Sequence, residues 1–118
     1  MMLRVILWLL GFMLKKAQRS KSAFQEQLET RPLDWGIATE DLAIARYYRM
    51  SADGIETGTG LPVDLDLELR FDNPQSAMRI LRKPTQKAFL DGMMNDHVRL
   101  VGDSRDLERL QALLKHIR

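Results

Sequence analysis

The residues able to carry chemistry in this chain are few, and their spacing argues against most reactions. His97 and His116 are the only histidines. They are not four apart on a helix, and neither has a carboxylate at metal-ligand spacing, so the pattern of a zinc site is missing. Asp64, Asp66 and Glu68 could pass for a metal or acid–base cluster. They alternate with Leu65, Leu67 and Leu69, however, which makes them the charged face of a strand. Ser51 and Ser104 have no histidine that the sequence can place beside them. Gly54, Gly58 and Gly60 invite a phosphate-binding reading, but their spacing fits neither the dinucleotide fingerprint nor the phosphate loop, and they lead into a strand. With no cysteine, thiolate nucleophiles, disulfides and sulfur-ligated metals are removed together. An enzyme is not supported; no catalytic residue, metal or cofactor is expected.

The elements that would hold any site follow from hydrophobic periodicity. Proline at 32 ends a first helix running over residues 1–30. Trp35, Ile37 and Thr39 alternate as a short strand, and Leu42 to Met50 reads as a second. Ala52-Asp53-Gly54 is a hairpin signal that returns the chain as a third strand, Ile55 to Thr59. Val63 to Phe71 is the clearest strand: Leu65, Leu67, Leu69 and Phe71 point to a dry face, and the acids with Arg70 point to water. Asp72 or Asn73 caps a helix with Pro74 in its first turn, Ala77, Ile80 and Leu81 forming its buried side. Pro84 starts another short helix, with Ala88 and Phe89 inward and Gly92 placed to end it. His97 opens a strand through Val101, and Asp103 or Ser104 caps a last helix carrying Leu107, Leu110, Leu114 and Ile117. The expected class is α+β: a twisted, mostly antiparallel sheet of about five strands, covered by helices on one face.

Charge is unevenly placed. The chain of 118 residues is one domain's length and carries a net charge of +2. Residues 1–22 hold Arg4, Lys15, Lys16, Arg19 and Lys21 with no acid, so the remainder is slightly acidic. A nucleic-acid partner would want a basic face on the folded body, and is not expected. From Met1 to Leu14 only Arg4 is charged. Fourteen helical residues span roughly 21 Å, short of a hydrocarbon core of about 30 Å. No small-residue cleavage site follows, so the segment reads as retained. Three covers suit an apolar helix: the domain's own sheet, an anionic membrane reached by Arg4, Trp8, Phe12, Lys15, Lys16 and Arg19, or a second copy in a homodimer.

The order Phe71-Asp72, Ala77 and Leu81, Ala88-Phe89 with Gly92, Val98 and Leu100, Gly102-Asp103, then the closing leucines, resembles the C-terminal half of the sterol carrier protein type-2 family. The likeness covers the segment from Leu65 to Ile117 well and Ala43 to Phe71 loosely. Met93-Met94-Asn95-Asp96 lengthens the link after Gly92, and Ser104 follows Gly-Asp where the family often has methionine. The resemblance implies a sheet whose apolar face, with the C-terminal helix, walls a tunnel for fatty acyl, sterol-like or isoprenoid-quinone-like molecules.

The residues suited to line such a tunnel are Leu65, Leu67, Leu69, Phe71, Phe89, Met93, Met94 and Leu110. The two methionines adapt to varied apolar guests. The expectation is a non-enzymatic lipid-binding or lipid-carrier domain over residues 31–118, behind an N-terminal helix over 1–30. It would be cytoplasmic, and peripheral on the inner membrane when bound there. The alternative is a solid-cored adaptor docking to a membrane or protein through that helix.

Overall fold

The computed structural model describes every residue except Met1, Pro84 and Arg118, and for Met2 and Ile117 the backbone alone. The expected helix start at Pro84 therefore lies outside the described residues. Two helices open the chain, α1 (Met2–Ser20) and α2 (Ser22–Thr30), followed by β1 (Leu33–Thr39), β2 (Ala45–Ser51), β3 (Gly54–Thr59) and β4 (Leu67–Phe71). Then come α3 (Pro74–Arg82), α4 (Gln86–Met94), β5 (Val98–Gly102) and α5 (Ser104–Leu114), with a final 3₁₀ turn, Lys115–Ile117. The strands form one sheet in the order β3-β2-β1-β4-β5. Three pairings are antiparallel, and the central one, β1 with β4, is parallel. The expected α+β class and mostly antiparallel five-stranded sheet are what the chain forms.

One face of the sheet is apolar because the strands alternate. Leu33, Trp35 and Ile37 of β1, Tyr48 and Met50 of β2, and Leu67, Leu69 and Phe71 of β4 are all buried under the helices. Helix α1 lies along β2: Arg4 donates to the Ala43 carbonyl near its start, and Gln18 to the Ala52 carbonyl past its end. Its residues Leu3, Leu7, Leu10, Leu14 and Ala17 are buried at steps of three or four, and Phe24 and Leu28 of α2 continue the same core. Where one long helix was expected, the chain breaks at Lys21, whose backbone is extended.

Helix ends follow local chemistry. The Asn73 side chain accepts from the Ser76 N–H at 2.8 Å, with Pro74 in the first turn of α3. Thr85 caps α4 and Asp103 caps α5 in the same way. Gly92 does not end α4, contrary to expectation. The helix runs on to Met94, and a Cβ at 92 would lie 2.7 Å from Ile80 and 2.9 Å from Val98, so glycine is there for close packing of α4 on α3 and β5.

The second face of the sheet departs from the expected solvent face. The segment between β3 and β4 crosses over β2 and β1 on this side, and a Cβ at Gly36 would sit 2.5 Å from Leu61 and 2.9 Å from Leu65. Gly36 and Ala38 are buried accordingly. Leu65 thus precedes β4 and packs on the sheet face opposite to Leu67, Leu69 and Phe71, because the crossover breaks the alternation ahead of Leu67. Around it, Arg49 bridges Asp34 and Asp64 at 2.9 Å each, and the Asp66 carboxylate accepts from the Asp34 N–H. Glu68 holds Arg70 at 2.8 Å. The acids of this face are therefore tied to cations and backbone rather than gathered for catalysis.

Candidate functional site

The polar groups are positioned for structure. His97 Nδ1 lies 3.1 Å from Asp72 Oδ2 and 3.5 Å from Ser76 Oγ. Sequence spacing offered His97 no acid partner; the fold supplies one by pairing the end of β4 with the start of β5, where the Asp72 N–H also donates to the His97 carbonyl. The Ser76 hydroxyl, then the His97 ring, hold the Asp72 carboxyl below its usual range. A nucleophilic relay needs the hydroxyl on one ring nitrogen and the acid on the other, whereas both approach Nδ1 here. His116 meets Gln27 and the edge of Phe24. Among the described residues no three histidine or acidic side chains converge on a metal position.

The apolar candidates divide by place. Leu67, Leu69, Phe71, Phe89 and Leu110 come together in the interior between the sheet and the helices. Met93 is half-buried against that core, Met94 is 82% exposed, and Leu65 is on the far side of the sheet. Two interior groups stand out. Tyr48 stacks on Trp35 at 4.6 Å and donates its hydroxyl to the Leu7 carbonyl of α1 at 2.6 Å, and burial pushes that phenol far up. The Trp35 indole N–H is buried with no acceptor among the described residues. An unpaired buried donor costs about 1–3 kcal/mol, so its presence inside an apolar layer is unusual.

A pocket lies at the N-terminal end of α1. A cavity of about 290 Å³ lies between the first turns of α1, the β1–β2 loop and the ends of β2 and β3, walled by Leu7, Leu42 and Ile44 and flanked by Arg4 and Arg46. Sequence reasoning missed it, because Arg46 sits in a run that reads simply as strand. Leu42 on its rim has φ of 60°, a left-handed conformation rare for leucine. The loop is held there by Asp41, whose carboxylate accepts from the Thr39 hydroxyl at 2.6 Å and the Ala43 N–H at 3.0 Å.

The outer side of α1 is apolar as well. Val5, Trp8, Leu9, Phe12 and Met13 are exposed, at steps of three and four, and the Trp8 and Phe12 rings stack at 6.4 Å. Lys16 and Arg19 extend the same stripe, with Lys15 beside it, and all three are exposed. Arg4 turns away to the β1–β2 loop. No described helix is long and apolar enough to cross a membrane.

Comparison with known proteins places the fold. No family model and no curated protein matches the chain. Solved structures do. One described as "UbiJ-SCP2 Ubiquinone synthesis protein" matches with a TM-score of 0.69 at 14% identity, over 99% of this chain and 96% of that one. Sterol carrier protein 2 from Yarrowia lipolytica, in its apo form, matches with a TM-score of 0.61 at 11% identity, over 92% and 88% of the two chains. A conserved hypothetical protein from Thermus thermophilus, described as possibly a sterol carrier protein, gives 0.58 at 14% identity, over 89% and 78%. The chain has the fold of sterol carrier protein 2.

Proposed function

We propose that this chain is a lipid-binding domain that reversibly buries an apolar molecule between its sheet and its helices, with no covalent step. The observation that carries this reading is the two-layer architecture itself: a largely apolar inner sheet face roofed by helices, alike in fold to sterol carrier protein 2. The unpaired Trp35 N–H inside that layer supports it, since a guest with a carbonyl or hydroxyl oxygen would satisfy the donor. Leu67, Leu69, Phe71, Phe89 and Leu110 are the wall in this reading, and Met93 a flexible gap-filler. Met94 and Leu65 belong to outer surfaces in this fold, and the reading does without them. A fatty acyl, sterol-like or isoprenoid-quinone-like chain fits such a wall equally.

The exposed stripe on α1 favours a companion role, contact with an anionic membrane surface in the cytoplasm, where lipid would be collected or delivered. Trp8 and Phe12 would enter the headgroup region, with Lys15, Lys16 and Arg19 beside anionic lipid. Native mass spectrometry of the purified full chain, before and after organic extraction, tests the carrier. Co-purifying lipid that extraction removes is the expected result. A bare chain that also takes up no added fatty acid, sterol or quinone sinks the carrier and leaves an adaptor that docks through α1.

A further inference from the structure

Strand β2 breaks its own pattern at one position. Tyr48 and Met50 face the helices and are buried, so period-two alternation puts Arg46 on the same apolar face. Arg46 is half-buried at the edge of that face, where a guanidinium carries some desolvation cost unless something anionic meets it. Nothing in the chain does so among the described residues: Arg46 gives its Nε–H to the neutral Thr57 hydroxyl at 2.9 Å. Arg4, on the other side of the cavity, gives its N–H to the neutral Ala43 carbonyl at 3.0 Å. Arg49, Arg70, Arg99, Arg105 and Arg109 each hold a carboxylate at 2.8–3.6 Å. Arg19, Arg31, Arg79 and Arg82 hold none among the described residues, like Arg4 and Arg46, but only these last two line the cavity. The cavity of about 290 Å³ between Arg4 and Arg46 has no acidic residue in its lining, and its remaining walls include Leu7, Leu42 and Ile44. The strained backbone of Leu42 forms part of the rim.

We infer that this cavity is the headgroup end of the lipid site, with Arg4 and Arg46 binding a carboxylate or phosphate while the attached chain passes under α1 along Leu7. The inference rests on the lipid-binding reading and names the class of guest: a singly tailed anionic amphiphile. Two arginines without acids are suited to planar or tetrahedral oxyanions, which take paired N–H donors. Leu7 links the two ends of the site. Its side chain walls the cavity, and its carbonyl takes the Tyr48 hydroxyl that stacks over Trp35.

Isothermal titration of the delipidated full chain tests this with three probes: dodecyl phosphate below its micelle concentration, dodecanol, and inorganic phosphate. The expected result is dodecyl phosphate binding at least about tenfold tighter than dodecanol, with inorganic phosphate a weak competitor. Arg4→Gln with Arg46→Gln should erase that preference, while Arg46→Lys, which keeps the charge but loses the paired donors, retains only part of it. Circular dichroism checks the fold, and Arg4→Gln alone, at an exposed residue, serves if the double variant unfolds. Equal binding of dodecyl phosphate and dodecanol overturns the headgroup site but leaves the carrier standing. Inorganic phosphate binding as tightly as dodecyl phosphate overturns the amphiphile in favour of a soluble anion. No binding of either chain compound overturns the singly tailed guest and its headgroup site, while the carrier stands or falls on uptake of sterol and quinone.

Discussion

At the scale of single residues, Gly102 explains why Gly-Asp stands where it does. It ends β5 opposite Leu67, its φ is +129°, and a Cβ there would lie 2.5 Å from the Asp66 carbonyl oxygen and 3.2 Å from the Leu67 Cα. Backbone cannot swing aside as a side chain can, so two independent penalties fall on one position. Gly102→Ala is expected to cost about 2–3 kcal/mol in urea unfolding. Gly54→Ala, also at positive φ but with nothing within 4 Å, is expected to cost less. Equal costs at the two would mean that the contact with β4 adds nothing. The sequence flagged Gly102 only through a resemblance; its reason, the approach of the chain entering β4, is a non-local contact that spacing does not encode. Arg46 was hidden for the same reason, since a cation matters only once its face is known.

Among the elements, the strands were the most legible, because alternation survives in Leu67, Leu69 and Phe71 and the Asp-Gly hairpin fixes the β2–β3 turn. The crossover before β4 was not. Parallel pairing of β1 with β4 brings together segments about thirty residues apart, and the run of alternation through Leu65 concealed the point where the chain changes faces. Helix α1 fills the first of its three expected roles, one stripe packing on the sheet, and leaves a second apolar stripe facing outward. That outer stripe gives a prediction at this scale. The full chain should cosediment with anionic vesicles and far less with neutral ones, and binding should fall as salt rises, each basic residue near the surface being worth about 1 kcal/mol. Trp8→Ser with Phe12→Ser should weaken binding at least about tenfold without unfolding the chain, both side chains being exposed. Undiminished sedimentation of that variant would exclude this face.

For the molecule as a whole, the layer order was readable from the sequence and the openings were not. Which apolar residues gather in the interior follows from period two in strands and from steps of three and four in helices. A surface pocket depends on where loops leave space, as at Leu42, which no local pattern records. Geometry has also divided the two indoles between the two surfaces that matter. Trp8 is 57% exposed on the outer stripe of α1, and Trp35 is 0% exposed against Tyr48 beneath the roof. The protein therefore carries two intrinsic optical reporters, one for each of the two proposed events. Red-edge emission and quenching by iodide belong to Trp8, and should diminish on contact with vesicles. Blue, iodide-resistant emission belongs to Trp35, and should change when a guest oxygen takes its N–H. Trp8→Phe and Trp35→Phe separate the signals, so arrival at a membrane and uptake of a ligand can be timed independently in one unlabelled chain.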